Sequence, residues 1–360
     1  MKHKFLVLCP LVAISLAACS LGKPHNISEY ILDRSLNFNE EKGDFKILQI
    51  TDVHLGDKDN QDLHFAFMDK TIELANKERK VDFIVVTGDV FTFAGKATAQ
   101  RFFNWMESKQ IPWTITWGNH DEQCYFSVDW MTGYLNELSK TEGSYCYFKD
   151  IQNDNIQGNA NFAINLNRGG KLFEQFIIMD SNRYDFNPSH GLYYDAFKPN
   201  QIEWYKKLVK ETAETEGALL NADGKVESIM FYHIPLPEIN KLLEDLPKDK
   251  DGNPMFGEYD GSKDPIDGFY KEATCPPSYN TGFFDVIKEE KSTHAMFYGH
   301  DHNNTFRGVY EGVLFAYGVK ATSNIYYDPA LVGGQTITIK SDRSLEIERI
   351  FHTYAELEGK

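Results

Sequence analysis

Short apolar runs, each broken off by a cluster of polar residues, constrain this chain more than any other feature. They are FKILQITDVHLG (45–56), VDFIVVTGDV (81–90), IPWTITWGNHD (111–121), FEQFIIMDSN (173–182), ESIMFYHIPLPE (227–238) and STHAMFYGHDHNN (292–304). Runs of four to seven residues rich in Ile, Val and Phe read as strands covered on both faces. Between them lie stretches of helical period: 61–80 with Leu63, Phe67 and Thr71 on one face, 97–109, 200–212 opened by Pro199, and a shorter one at 282–290. Strand and helix alternate, which predicts an α/β domain with helices outside a largely parallel sheet. Near the end, GVLFAYG, GQTITIK and LEIERIF follow one another without a helix, and an antiparallel meander closing a second sheet is expected there. Residues 240–280, rich in Pro, Gly and Asp, read as a long inserted loop.

The chain has 360 residues with 42% hydrophobic content, enough to bury a full core. Its 37 basic and 53 acidic residues leave a net charge of −16, which argues against a nucleic-acid polymer as partner. A small phosphorylated substrate remains compatible, because bound cations invert the local field. The first residues have secretory signal anatomy: Lys2 and Lys4, an apolar stretch from Phe5 to Leu16, then small residues. Leu16-Ala17-Ala18-Cys19 resembles the lipobox of bacterial lipoproteins, in which the cysteine carries the lipid. The expected organisation is a signal peptide over 1–18, a lipidated N-terminus and tether over 19–44, and one domain over 45–360. That implies an exported protein held to a membrane through Cys19, facing the periplasm or cell exterior. Cys124, Cys146 and Cys275 remain beyond the signal region, and a Cys124–Cys146 bridge is left open. No Cys-x-x-Cys pattern exists to suggest a zinc ribbon or a redox site.

Open α/β sheets bind ligands beyond the carboxyl ends of their strands. Asp52 and His54 follow the first run, Asp89 the second, Asn119 and His120 the third, His233 the fifth, and His300 with His302 the last. Each has a bland reading alone: a capping turn for Asp52-x-His54, a turn for Gly88-Asp89, a core histidine for His233. Together they form an O/N donor set without cysteine, suited to Mn, Fe or Zn. So many donors exceed the needs of one tetrahedral ion and suit two ions sharing a bridging carboxylate, which together activate a water and clamp a displacement at phosphorus. Asp121 is a candidate to orient the His120 ring. Arg183 is a candidate phosphate contact, with Tyr184, Tyr193 and Tyr194 beside it at the rim of a pocket. His25, His64, His190, His294 and His352 lack such company and read as surface or structural.

Asp52-x-His54, Gly88-Asp89, Gly118-Asn119-His120-Asp121, His233 and Gly299-His300-Asp301-His302 resemble the full signature of the calcineurin-like metallophosphoesterases. The resemblance implies a four-layer αββα sandwich of two mixed β-sheets with two divalent metal ions at its edge. It implies that Asp52, His54 and His302 hold one ion, that Asn119, His233 and His300 hold the other, and that Asp89 bridges. His120 would be an acid and phosphate contact beside them, with Asn119 also meeting substrate. MDSNRYDFNPSHGLYYD, FYHIPLPE and YNTGFFDVI resemble the purple-acid-phosphatase-like branch, whose true members place a tyrosine ligand three residues after the bridging aspartate. That position is Thr92 here, so neither purple colour nor an obligatory ferric ion is expected. The implied activity is hydrolysis of phosphate esters, phosphomonoesters foremost, by in-line attack of a hydroxide bridging the ions. The alternatives are a phosphodiesterase acting on nucleotides, lipid headgroups or cell-wall phosphates and, more remotely, a non-catalytic metal-binding lipoprotein.

Overall fold

The computed structural model describes residues 25–358 apart from 152–154, 192, 245, 247, 249, 251, 253 and 255–266. The signal segment and Cys19 therefore lie outside the described residues, as does the middle of the expected 240–280 loop. In chain order come β1 (Leu36–Asn37), β2 (Asp44–Ile50), α1 (Gln61–Ala75), β3 (Phe83–Thr87), α2 (Lys96–Ser108), β4 (Trp113–Thr116), α3 (Val128–Lys140), β5 (Phe162–Arg168) and β6 (Lys171–Ile178). Then follow α4 (Pro199–Ala213), β7 (Glu227–Phe231), α5 (Ile239–Glu244), α6 (Phe283–Glu290), β8 (Thr293–Tyr298), β9 (Arg307–Tyr310), β10 (Val313–Tyr317), β11 (Gly333–Lys340), β12 (Leu345–Phe351) and α7 (Ala355–Glu358).

The strands form two mixed sheets, a seven-stranded one in the order β1-β5-β6-β7-β8-β10-β9 and a five-stranded one in the order β12-β11-β2-β3-β4. Strands β2, β3 and β4 run parallel, as do β6, β7, β8 and β10. Side-chain alternation assigns the faces. In β6, Phe176 and Ile178 join the core between the sheets, while Ile177 and its successor Met179 join a second core with Trp204 and Leu208 of α4 and Phe284 of α6. Helices α1, α2 and α3 bury Met68, Phe102 and Met131 on the side of the smaller sheet. The layers are therefore helix, sheet, sheet, helix, in agreement with the αββα expectation. Phe176 links the two sheets, its ring 6.0 Å from that of Phe45 in β2 and 5.9 Å from that of Phe83 in β3.

Several expectations change. Residues 26–44 are no polar tether: Ile27, Tyr30, Leu32, Leu36 and Phe38 are buried, and β1 extends the larger sheet beside β5. The terminal meander divides between the sheets. Strand β10 (the GVLFAYG run) pairs antiparallel with the unforeseen β9 and parallel with β8, so it belongs to the larger sheet. The β9–β10 turn is Glu311-Gly312, both at positive φ (47° and 84°), the two-residue geometry that matches strand twist. Only β11 and β12 form the antiparallel edge of the smaller sheet. Helix α1 stops at Ala75, because the Asn76 side chain turns back to accept from Val81 N at 2.8 Å and leads the chain into β3. Cys124, Cys146 and Cys275 are free thiols, so the bridge left open between the first two is not formed.

Candidate metal centre

The carboxyl ends of β2, β3 and β4 from one sheet and of β7 and β8 from the other meet at one edge. The loops leaving them carry Asp52 and His54, Asp89, Asn119 and His120, His233, and His300 with His302. All but His120, which is half-buried, are buried. Their ligand atoms fall into two groups that share one residue. Asp52, His54, Asp89 and His302 form the first, and Asp89, His233 and His300 the second, with the atoms of each group within 4.8 Å of one another. His300 and His302, neighbours in a single loop, thus serve different groups. Asp301 between them turns away, accepting from the Tyr317 hydroxyl and from Cys275 N at 3.2 Å.

Close approach dictates the glycines. A Cβ on Gly88 (φ 83°) would stand 2.6 Å from the His233 ring and 2.8 Å from Gly118 N; one on Gly299 would stand 2.0 Å from the Thr51 hydroxyl and 2.5 Å from the Asp52 carboxylate. Asp52, His54 and Asp89 themselves adopt left-handed backbone, with φ of 53°, 53° and 50°. Each such non-glycine residue costs about 1–2 kcal/mol and persists only where its surroundings over-determine it.

The histidines are oriented by their outer nitrogens. Nδ1 of His233 donates to Thr87 O (2.8 Å), Nδ1 of His302 donates to Tyr326 O (2.8 Å), and Nδ1 of His54 meets the Thr92 hydroxyl (2.8 Å). Thr92, at the position where the resemblance looks for a tyrosine ligand, thus fixes a histidine instead. Each Nε2 is left facing inward, as metal-ligating imidazoles require. Burial holds His54 and His302 well below the usual imidazole range and, reinforced by His233, takes His300 down to about 3. These rings are neutral at physiological pH and present lone pairs. Burial pushes the Asp89 carboxyl up, but the neighbouring His233 outweighs it and keeps Asp89 ionised. For His233 burial opposes the charge, and Asp89, with Oδ2 3.1 Å from Nε2, overcomes it and raises the ring to about 10.

Three observations test whether this donor set fits metal ions. Both ring nitrogens of His300 and Asn119 Oδ1 are buried without a hydrogen-bond partner, a costly state for polar atoms. His54 Nε2 and His302 Nε2 face each other at 2.9 Å, with Asp52 Oδ1 at 3.5 Å from the latter. Asp89 Oδ2 lies 3.8 Å from His54 Nε2 and 3.1 Å from His233 Nε2, between the groups. Converging lone pairs and carboxylates of this kind call for cations, and the residues fit them.

His120 stands beside the first group, its ring edge-on to His54 with centroids 4.9 Å apart. Its backbone N–H donates to Asp89 Oδ1 (2.7 Å), and its Nδ1 meets Gln123 Oε1 at 2.8 Å. Gln123 is therefore the orienting partner. Asp121, the sequence candidate, instead accepts from the backbone N–H groups of Val90 (3.0 Å), Phe91 (2.9 Å) and Gly118 (2.8 Å), tying the Asp89 loop to the Asn119 loop. Arg183 faces Asp180 and Glu122 and donates to Asn159 Oδ1 at 3.3 Å. Its neighbour Tyr184 reaches the centre, the hydroxyl accepting from Asn119 Nδ2 (2.9 Å) and Gln123 Nε2 (3.2 Å). Tyr194 meets the His300 ring edge-on at 4.3 Å, and Tyr326 stacks on His302 at 4.2 Å. Sequence reading missed Lys320 and Tyr326. Lys320 is a buried cation whose ammonium burial lowers to about 8, although Asp52 and Asp89 work the other way.

Two mixed sheets with paired Asp/His groups sharing one carboxylate at their carboxyl edge are compatible with a dinuclear metal site. The chain belongs to the calcineurin-like phosphoesterase family, which residues 45–304 match. Among curated proteins it is 29% identical to "Probable inactive purple acid phosphatase 29" of Arabidopsis thaliana, over 79% of this chain and 73% of that one. It is 28% identical to "Probable inactive purple acid phosphatase 14" of the same plant (86% and 78%). It is 25% identical to "Phosphatase DCR2" of Saccharomyces cerevisiae, over 74% of this chain and 45% of that one. Among solved structures, a dimetal phosphatase from Danio rerio superposes with a TM-score of 0.46 at 13% identity, covering 86% of this chain and 99% of the other.

Proposed function

We propose that the protein hydrolyses phosphate esters, phosphomonoesters foremost, with two divalent ions of Mn, Fe or Zn type. One ion would be held by Asp52, His54, Asp89 and His302, and the other by Asp89, Asn119, His233 and His300. The observation that carries this reading is the sharing of Asp89 between two buried groups of converging donors. When bound, a pair of such ions supplies a nucleophilic water at neutral pH and neutralises charge developing on the phosphoryl group. The chain's own residues do the rest. Asp89 is pinned by the His120 N–H, so its second oxygen stays toward both groups. Tyr184 takes up the amide N–H of Asn119, which leaves Oδ1 for a ligand. Gln123 fixes His120 Nδ1, so that Nε2 is the atom that exchanges a proton with the leaving-group oxygen.

Three relatives from Arabidopsis thaliana carry "inactive" in their names, yet the donors this reading needs stand in this chain. The proposed setting is outside the cytoplasmic membrane with Cys19 as lipid anchor, which rests on residues 16–19. No helix among the described residues is long and apolar enough to cross a membrane.

The test is an assay of full-length protein loaded with Mn or Zn on an aryl phosphate monoester and a bis-aryl diester. Monoester turnover should exceed diester turnover, and His120→Ala should keep its ions while turnover falls by about 10²–10⁴-fold. A reversed ratio favours the diesterase alternative; no turnover on either ester, with both ions bound, leaves a non-catalytic metal-binding protein.

A further inference from the structure

We propose that residues 320–326, where the chain crosses from the larger sheet to the smaller, are a positioning strap that builds one half of the metal centre: the half made by Asp52, His54 and His302. The proposal rests on the dinuclear reading above and goes beyond it by assigning a task to residues outside the donor set.

The strap takes up consecutive carbonyls of the ligand segment. Ala321 N–H donates to Thr51 O at 2.8 Å, the Lys320 ammonium to Asp52 O at 2.8 Å, the Thr322 hydroxyl to Val53 O at 2.7 Å, and the Asn324 side-chain amide to His54 O at 2.8 Å. The same stretch then reaches the far side of the group. Tyr326 O accepts from His302 Nδ1 at 2.8 Å, and its ring lies on the His302 ring at 4.2 Å with an interplanar angle of 21°.

Backbone conformation gives the strap its purpose. Asp52 and His54 sit at φ 53°, a region L-residues leave unless held, and relaxation to extended backbone would turn carboxylate and imidazole away from each other. Bonds to the carbonyls on both sides of these residues oppose that relaxation, and the one on Asp52 O comes from a buried ammonium, the stronger kind of donor. The strap is itself held in shape. Asn324 also donates to Asp59 Oδ2 (2.9 Å), its N–H donates to Thr322 Oγ1 (3.2 Å), and Ile325 between Asn324 and Tyr326 is at φ 59°. A β-branched residue in left-handed backbone is a genuine outlier, and here it lets both neighbours reach the metal group. The other half of the centre has anchors of its own, His233 at Thr87 O and Asn119 at the Tyr184 hydroxyl, and joins this half where the His300 N–H donates to the Asp52 carboxylate (3.1 Å) and the His54 N–H to Asp89 O (2.9 Å).

The strap therefore acts first on the ion that Asp52, His54 and His302 would hold, and on the other only through Asp89 and the His300 N–H. The experiment titrates metal-free, full-length protein with Mn²⁺ by calorimetry and follows electron paramagnetic resonance, with thermal melting as the check on folding. Wild type should take up two ions and give an exchange-coupled spectrum. In Thr322→Val and Asn324→Ala, one equivalent should weaken about 10–100-fold, as the loss of partners outside the ligands typically does. The coupled signal should then give way to that of isolated Mn²⁺ at intermediate loading. Thr322→Ser, which keeps the hydroxyl, should restore it, and Tyr184→Phe should weaken the other equivalent. Unchanged affinity for both ions in Thr322→Val and Asn324→Ala overturns the strap, as does an equal loss of both together with a fall in melting temperature. A wild-type protein that binds fewer than two ions overturns the dinuclear reading itself, and the strap with it.

Discussion

Asp301 lies between two metal-facing histidines and belongs to neither group, and its environment gives it a separate consequence. Burial pushes its carboxyl from the ordinary 3.8 up to about 7, against the pull of the Tyr317 hydroxyl. Between those values the folded protein keeps a proton that the unfolded chain has lost. The stability this group contributes is therefore full below about pH 4 and lost as pH rises through 7. Asp301→Asn is neutral throughout. From pH 5 to pH 8 the difference in unfolding free energy between metal-free wild type and variant should move toward the variant, by on the order of 2 kcal/mol. Urea unfolding at the two pH values measures it, and a constant difference contradicts the account. The donors were legible in sequence because each lies at the end of an apolar run, with a glycine directly before Asp89, Asn119 and His300. Lys320, Asn324 and Tyr326 were not, because their roles are contacts of side chain and carbonyl with segments more than twenty residues away, or across the whole chain. Asp121 misled for a related reason. Adjacency to His120 suggested a side-chain pair, whereas the buried N–H groups of Val90, Phe91 and Gly118 had the stronger need of its carboxylate.

At the scale of elements, β6 holds the two sheets in register through Phe176, which is fully buried between Phe45 and Phe83 and also meets Phe231 edge-on. Phe176→Ala should cost about 3–5 kcal/mol by urea unfolding, as a cavity left between two rigid layers collapses only in part. A cost below about 1 kcal/mol would mean that the sheets are not packed as described. Buried strands announce themselves as apolar runs, which is why β2, β3, β4, β6, β7 and β8 were readable, as were the amphipathic α1, α2, α4 and α6. The N-terminal stretch was not. Ile27, Tyr30, Leu32, Leu36 and Phe38 are scattered among polar residues, and only docking makes them core: the Tyr30 ring meets Trp204 of α4 at 5.8 Å, the Phe38 ring meets Phe173 of β6 at 5.4 Å, and β1 pairs with β5. Strand β10 read correctly as a strand and wrongly as to sheet, because its hairpin partner is the short, half-exposed β9.

For the whole molecule, the central fact is that neither sheet makes the site alone. The smaller sheet supplies Asp52, His54, Asp89, Asn119 and His120, the larger supplies His233, His300 and His302, and the crossover between β10 and β11 braces their junction. The four-layer packing thus sets the spacing of the two donor groups, with Asp89 where they meet. The most direct test of this account is metal analysis of the full-length protein after loading with Mn or Zn and removal of free ion. Two ions per chain are predicted for wild type and at most one for Asp89→Asn; one ion or none in wild type would contradict the account.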